Sequence, residues 1–383
     1  MITTDTGGET PHVGMQDPDA DLVQLLAPNG ERVEHEVYSA RADHLDRAAL
    51  EGFYRDMALT RRFDLEATAL QRQGELGLWP PSQGQEAAQV GTARALAPQD
   101  FVFPSYREHG VAWVRGLDMR SLLLLYRGRE HGGWDAHEHN LNVPTLVIGA
   151  HTLHAAGYAM GIQRDGDVGT GDAARDRAAI AYFGDGATSQ GDVSEAMVFA
   201  SAAASPVVFV CQNNQWAISV PTEKQSRIPL VHRGAGFGIP SVRVDGNDVL
   251  ACYAVMDEAL ERAHGGGGPT FIEAVTYRMG AHTTSDDPTR YRSRAEEEHW
   301  RQRDPLQRLR TYLESVGTPA DFFDELETEA DRLGEDTRSF CRSLTAPPAE
   351  SMFDHVYATS QSQIERERAW FRDYEASFEE VAR

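Results

Sequence analysis

A chain of 383 residues that is 41% hydrophobic and 25% charged is long enough for one large or two ordinary domains with a filled core. Its formal charge of −23 leaves no basic field to gather phosphates, which excludes nucleic acid and anionic membrane surfaces as partners. It has no run of about 18 apolar residues and no leader pattern, and its three separated cysteines make neither a disulfide framework nor a zinc knuckle, so a cytoplasmic protein is expected.

In chain order, residues 1–45 are rich in Gly, Asp, Thr and Pro with one apolar cluster, LVQLL at 22–26, and read as an irregular N-terminal arm. Residues 46–383 read as a single domain. From Leu45 to Gln73 the spacing of Leu50, Phe53, Tyr54, Met57 and Ala58 predicts one or two helices. The stretch PPSQGQEAAQVGTARAL breaks at Pro80-Pro81 and resumes as a helix of small residues; DFVFPSYREHG reads as a short strand and a polar loop. Segment 128–144 has no periodicity and reads as a loop. Its histidines His131, His137 and His139, with His151 beyond, lack the His-x-x-x-His spacing of a helical metal site and read as loop or packing residues.

The centre alternates regularly. AAIAYF (178–183) is a strand, DVSEAMVFASAAA (192–204) a helix with Asp192 and Glu195 spaced as a capping box, and PVVFVCQ (206–212) a second strand. Such a crossover unit is right-handed with parallel strands. Lys224, the single lysine, follows no Gly-x-x-x-x-Gly, which removes phosphate-loop and Schiff-base lysine chemistry. A strand SVRVDG (241–246), a helix near 249–264, the linker GGGGP (265–269) and a strand TFIEAVTYR (270–278) continue the alternation. These predict an α/β fold, a mostly parallel sheet with helices on both faces, followed by charged amphipathic helices from about residue 296 to the C-terminus.

In AIAYFGDGATSQG an apolar run delivers Asp185 between two glycines to the carboxyl end of a strand, where ligands of parallel sheets gather. The next strand ends in CQNNQWAIS, which brings Asn213 and Asn214 to the same edge. A carboxylate, an amide oxygen and a loop carbonyl are hard donors that suit Mg²⁺ or Ca²⁺, and Mg²⁺ keeps positions for phosphate oxygens. Asp185 is therefore expected to hold a magnesium ion that in turn holds a diphosphate. The competing readings are a tight turn beside a strand-end cap, a Mg²⁺-dependent phosphohydrolase, and a noncatalytic scaffold.

The motifs GQEAAQVG, FPSYREHG, GDGATSQGDVSEA, CQNNQWAIS, VRVDGNDV and HTTSDDPTRYRS resemble the alpha chain of the decarboxylating component of 2-oxo acid dehydrogenase complexes, over about residues 45–320. The resemblance implies a thiamine-diphosphate-binding fold and oxidative decarboxylation of a 2-oxo acid, with acyl transfer to a lipoyl group. By the family pattern Asp185, Asn214 and the carbonyl of Trp216 bind Mg²⁺, while Gly184, Gly186 and Ala187 lie against the diphosphate. Tyr106 and Arg107 donate to its oxygens. Ile148 matches the apolar residue under the bent cofactor, and His282 the catalytic histidine beside it. A beta subunit in an α2β2 assembly and a lipoyl-bearing acyltransferase are the implied partners. The forms HTTSDDPTRYR and NNQWAISVPT favour branched-chain 2-oxo acids such as 3-methyl-2-oxobutanoate, with pyruvate as the alternative. Three positions depart from relatives: Gln212 stands where some have arginine, Thr283 where animal relatives have a regulatory serine, and TLVIGAH (145–151) matches poorly a loop that binds a monovalent ion.

Overall fold

In the computed structural model, which describes residues 22–129 and 133–381, five short parallel strands form one sheet. They are β1 (Phe101–Phe103), β2 (Ala179–Gly184), β3 (Val207–Asn213), β4 (Ser241–Asp245) and β5 (Thr270–Val275), in spatial order β1-β2-β3-β5-β4. The longer helices are α1 (Arg47–Arg72), α2 (Glu86–Arg94), α3 (Ala150–Asp165), α4 (Gly191–Ala203), α5 (Val249–His264), α6 (Pro305–Ser315), α7 (Ala320–Ser343) and α8 (Ser362–Val381). No helix among the described residues is long and apolar enough to cross a membrane.

β2 up to Phe183 and β3 up to Cys211 are apolar without interruption because both faces of the sheet are covered. Ile180, Tyr182, Val208 and Val210 enter one core together with residues of α1, α2, α5, α6 and α7. Their alternates Ala179, Ala181, Phe183, Val207 and Phe209 enter a second core with α3 and α4. The expected helices on both faces are thus present. Leu45–Gln73 forms one helix rather than two, started by the Asp46 side chain, which accepts from Ala49 N.

Three local readings are corrected. The Asp192/Glu195 capping box is absent: a turn at Asp185–Ser189 runs straight into α4, which begins at Gly191, so Asp192 already lies inside the first turn. The strand read as 270–278 stops at Val275, and the chain then crosses over the ends of β3, with Thr276 N and Arg278 N donating to Asn213 O and Asn214 O. Within 128–144, Ala136–His139 forms one helical turn and Leu141 bridges Val102; His131 lies outside the described residues. Helix α3 is an addition, since half of its buried face is alanine and gives little contrast in the sequence.

Of the N-terminal arm, residues 1–21 lie outside the described residues, whereas 22–45 are packed down. Leu25 and Leu26 are 0% exposed, and their N–H groups both donate to the Asp248 carboxylate. Val23 bridges β4 through Val23 N to Arg243 O at 2.9 Å and Asp245 N to Val23 O at 3.0 Å. Buried Arg308 of α6 closes this corner on Asp245 at 2.8 Å.

At the opposite end of the strands, buried Asp100 accepts from Ala178 N at 2.8 Å and meets His264 Nε2 at 2.7 Å, tying the starts of β1 and β2 to the end of α5. Burial works against charge on His264, but the Asp100 hydrogen bond and the charges of Asp100 and Asp176 outweigh it and hold the imidazole above its ordinary pKa. A raised folded pKa gives stability that is full below the unfolded value near 6.5 and is lost as pH rises through the folded value. His264→Gln should therefore lower the urea midpoint clearly at about pH 6 and by less at about pH 8.5. An equal loss at both would show that the imidazolium charge is not what binds this corner.

Candidate functional site

The strands end at a common edge, and the loops after four of them meet around one cavity of about 240 Å³. The loop after β1 brings Tyr106 and Arg107, the turn after β2 brings Asp185, Gly186 and Ala187, the end of β3 brings Asn214 and Trp216, and the segment after β5 brings His282. Gly184 closes β2, and a Cβ there would meet nothing within 4 Å, so the glycine keeps the cavity open. Ile148, 39% exposed just before α3, lines the mouth. All of the site residues expected from sequence thus border the same space. Asn213 does not: its side chain is spent on Glu273, Thr222 and Gln215 and ties β3 to its neighbours.

Asp185 is 2% exposed, and burial pushes its carboxyl pKa upward, opposed by hydrogen bonds from Gln225 and Thr222. Both donors go to Oδ2, at 3.0 and 3.1 Å. Gly186 is required by close packing, since a Cβ there would sit 2.8 Å from Ala217 Cβ. Asn214 Oδ1 accepts from Trp216 N at 3.2 Å, and Trp216 O accepts from Arg278 Nη1 at 3.0 Å. A carboxylate and a carbonyl each retain lone pairs beyond these bonds. An all-oxygen set of this kind fits a hard cation.

Two buried guanidinium groups face that set. Arg107, 5% exposed, donates to Pro81 O and His282 O; Arg278, 0% exposed, donates to Trp216 O, Ile218 O and Tyr291 Oη. Both also donate to His282 Nδ1, each at 3.3 Å. Guanidinium nitrogens cannot accept, so Nδ1 is the bare nitrogen and the ring proton sits on Nε2. Burial together with the Arg107 and Arg278 charges pulls the His282 pKa down to about 3, and the imidazole is neutral at physiological pH. Burial and the Arg107 charge likewise lower Arg278, to about 10, which leaves it a cation. Two like charges packed round a neutral ring are relieved by an anion, and the cavity accordingly fits a diphosphate.

Sequence reasoning missed Arg278, whose place three residues past the end of β5 gave no signal, and Glu108, whose buried carboxylate takes Ser105 Oγ at 2.8 Å and Gln212 Nε2 at 2.7 Å. Gln212, in turn, accepts from Gln89 Nε2 at 2.9 Å, so both ends of its amide are engaged away from any ligand. Unpaired buried atoms remain on three residues that line the cavity: Gln85 Nε2, His151 Nδ1 and Arg278 Nε. Such atoms point to a polar occupant.

Comparison with known proteins bears on that occupant. Residues 54–333 match the family described as Dehydrogenase E1 component. The chain is 44% identical over 359 residues to the 3-methyl-2-oxobutanoate dehydrogenase subunit alpha of Mycobacterium tuberculosis (strain ATCC 25618 / H37Rv), covering 94% of each chain. It is 38% identical over 336 residues to the pyruvate dehydrogenase E1 component subunit alpha of Acholeplasma laidlawii, covering 86% of this chain and 94% of the other. With the protein of the same name from Bacillus subtilis (strain 168) the identity is 41% over 296 residues, or 77% and 76% of the two chains.

Proposed function

Because this chain belongs to the dehydrogenase E1 component family, which implies thiamine diphosphate, we propose that it is the alpha subunit of a branched-chain 2-oxo acid dehydrogenase acting on 3-methyl-2-oxobutanoate. The observation that carries this is the meeting of Asp185, Asn214 and the Trp216 carbonyl with Arg107 and Arg278 around one cavity, joined to the 44% identity with the branched-chain alpha subunit. Pyruvate is the second reading, favoured by the 38% and 41% relatives.

Bound thiamine diphosphate supplies the carbon nucleophile and electron sink that decarboxylation of a 2-oxo acid needs. Asp185, Asn214 and Trp216 O would hold Mg²⁺, and Tyr106, Arg107 and Arg278 would meet diphosphate oxygens. The small residues Gly184, Gly186 and Ala187 let backbone come close to those oxygens. Ile148 offers an apolar wall against the cofactor. His282 presents a neutral ring whose Nε2–H can donate to a developing oxyanion while Nδ1 is held by two arginines. An acyl group would then pass to the lipoyl arm of an acyltransferase component.

The relatives are alpha subunits, which implies a beta subunit; an α2β2 assembly is the form we propose. Exposed apolar residues flank the mouth of the cavity, Leu146 at 66%, Val147 at 68%, Ile218 at 55% and Val220 at 45%, a rim that fits cover by a second chain. That chain would bring the glutamate that serves the aminopyrimidine half.

The test is substrate-dependent reduction of an artificial electron acceptor by this chain purified with its beta subunit, thiamine diphosphate and Mg²⁺. We expect kcat/KM for 3-methyl-2-oxobutanoate to exceed that for pyruvate by about 10–200-fold, the range that one to a few methylenes in an apolar pocket supply. Preference for pyruvate would overturn the substrate and keep the rest; no turnover and no bound cofactor would overturn both.

A further inference from the structure

Gln85 belongs to neither the expected ligand set nor the arginine pair, yet it is 1% exposed, lines the cavity and leaves its Nε2 buried without a partner. A buried donor left unpaired is costly, so one on a residue that lines the cavity points to an acceptor on the occupant. Which end of this amide faces the cavity follows from a backbone group. Trp216 N–H can only donate, so the Asn214 atom 3.2 Å from it is oxygen. Asn214 must then turn its nitrogen to Gln85, which answers with Oε1 at 2.6 Å. Nε2 is what remains.

The backbone under Gln85 is pinned. Gln85 N donates to Ser82 O at 3.0 Å, and the preceding Gly84 gives its N–H to Glu86 Oε2 at 2.9 Å and takes Thr276 Oγ1 on its carbonyl at 2.7 Å. With the backbone held in this way, the amide itself is fixed by its Oε1, which takes Asn214 Nδ2 at 2.6 Å.

We infer that Gln85 is a further residue of this cofactor site with two duties: Oε1 fixes which end of the Asn214 amide is free for a cation, and Nε2 donates to an oxygen of the diphosphate-bearing ligand. The inference rests on the reading of the cavity as a Mg²⁺ and diphosphate site.

The two duties separate by substitution. Gln85→Glu keeps an acceptor for Asn214 but loses the donor and sets a negative charge against an anionic ligand; Gln85→Met removes both. In the full chain purified with its beta subunit, Mn²⁺ binding followed by electron paramagnetic resonance reads the first duty, and calorimetric titration with thiamine diphosphate reads the second. Gln85→Glu should weaken thiamine diphosphate at least about tenfold with Mn²⁺ affinity retained, whereas Gln85→Met should weaken both about tenfold. Urea midpoints near that of the unsubstituted protein are expected for each.

Variants that bind thiamine diphosphate like the unsubstituted protein would overturn the inference while the reading of the cavity stands. Parallel loss of Mn²⁺, cofactor and urea midpoint in both variants would reduce Gln85 to a packing role and overturn it too. An unsubstituted protein that binds neither ligand would overturn the cavity reading and the inference with it.

Discussion

Asp185→Ala should abolish Mg²⁺-dependent retention of thiamine diphosphate and lower turnover by about 10²–10³-fold or more, the cost of removing one preorganised electrostatic partner. Of the two carboxylates that border the cavity, Glu108 is committed to Ser105, Gln212 and the Arg107 amide, so only Asp185 is available to a cation. Without it Arg107 and Arg278 still attract the diphosphate, but nothing neutralises the phosphate charge from the other side. The fold should survive. The partners of Asp185 are a threonine and a glutamine, which water can satisfy, and its burial already works against the charged form. Desalted Asp185→Ala that keeps metal and cofactor at the unsubstituted stoichiometry would remove Asp185 from the metal site.

The second large effect falls on backbone. Gly84 has φ +97°, and a Cβ there would collide with the carbonyl oxygen of Tyr277 and lie 2.9 Å from Met279 Cγ. Neither the main chain after β5 nor the turn before α2 can give way freely, because the two are tied through Gly84 O and Thr276 Oγ1. Gly84→Ala should cost about 3–5 kcal/mol in urea unfolding, the size reserved for strain against buried backbone. It should also weaken thiamine diphosphate binding, since the displaced turn carries Gln85. Gly74→Ala is the control: its φ of +81° is similar but nothing lies within 4 Å, so it should cost only about 1 kcal/mol. Equal costs at the two positions would mean that dihedral strain, not the collision, decides the loss.

How much of this was legible in the sequence depended on how local the cause was. β2 and β3 declared themselves because a strand covered on both faces is apolar throughout, and the Gly-Asp-Gly and Asn-Asn stops marked their shared end. The motif resemblance then supplied Tyr106, Arg107 and His282, which no periodicity picks out. Arg278 and Gln85 stayed hidden because their roles arise from contacts across 62 and 129 positions of chain, with Trp216 and Asn214. Helix α3 was hidden for the opposite reason: an alanine face that packs closely on α4 and β2 looks in sequence like no face at all. The capping box failed because a turn that leads directly into the helix puts the cap at Gln190, two residues before Asp192.

The sheet ends on both sides in pairings with irregular chain. Val23 takes up Arg243 O and Asp245 N of β4, and on the other flank Val102 N donates to Asn140 O at 2.9 Å and Asn142 N to Val102 O at 2.8 Å. A border strand normally advertises its free amides to any extended peptide, and here the ones at these bridges are already answered. A strand from a neighbour would have to displace these bridges to extend the sheet along either border. Recognition by side chains on loops and helices meets no such obstacle, so these borders favour a partner chosen by surface shape and chemistry over the adhesive, sequence-blind hydrogen bonding of exposed backbone.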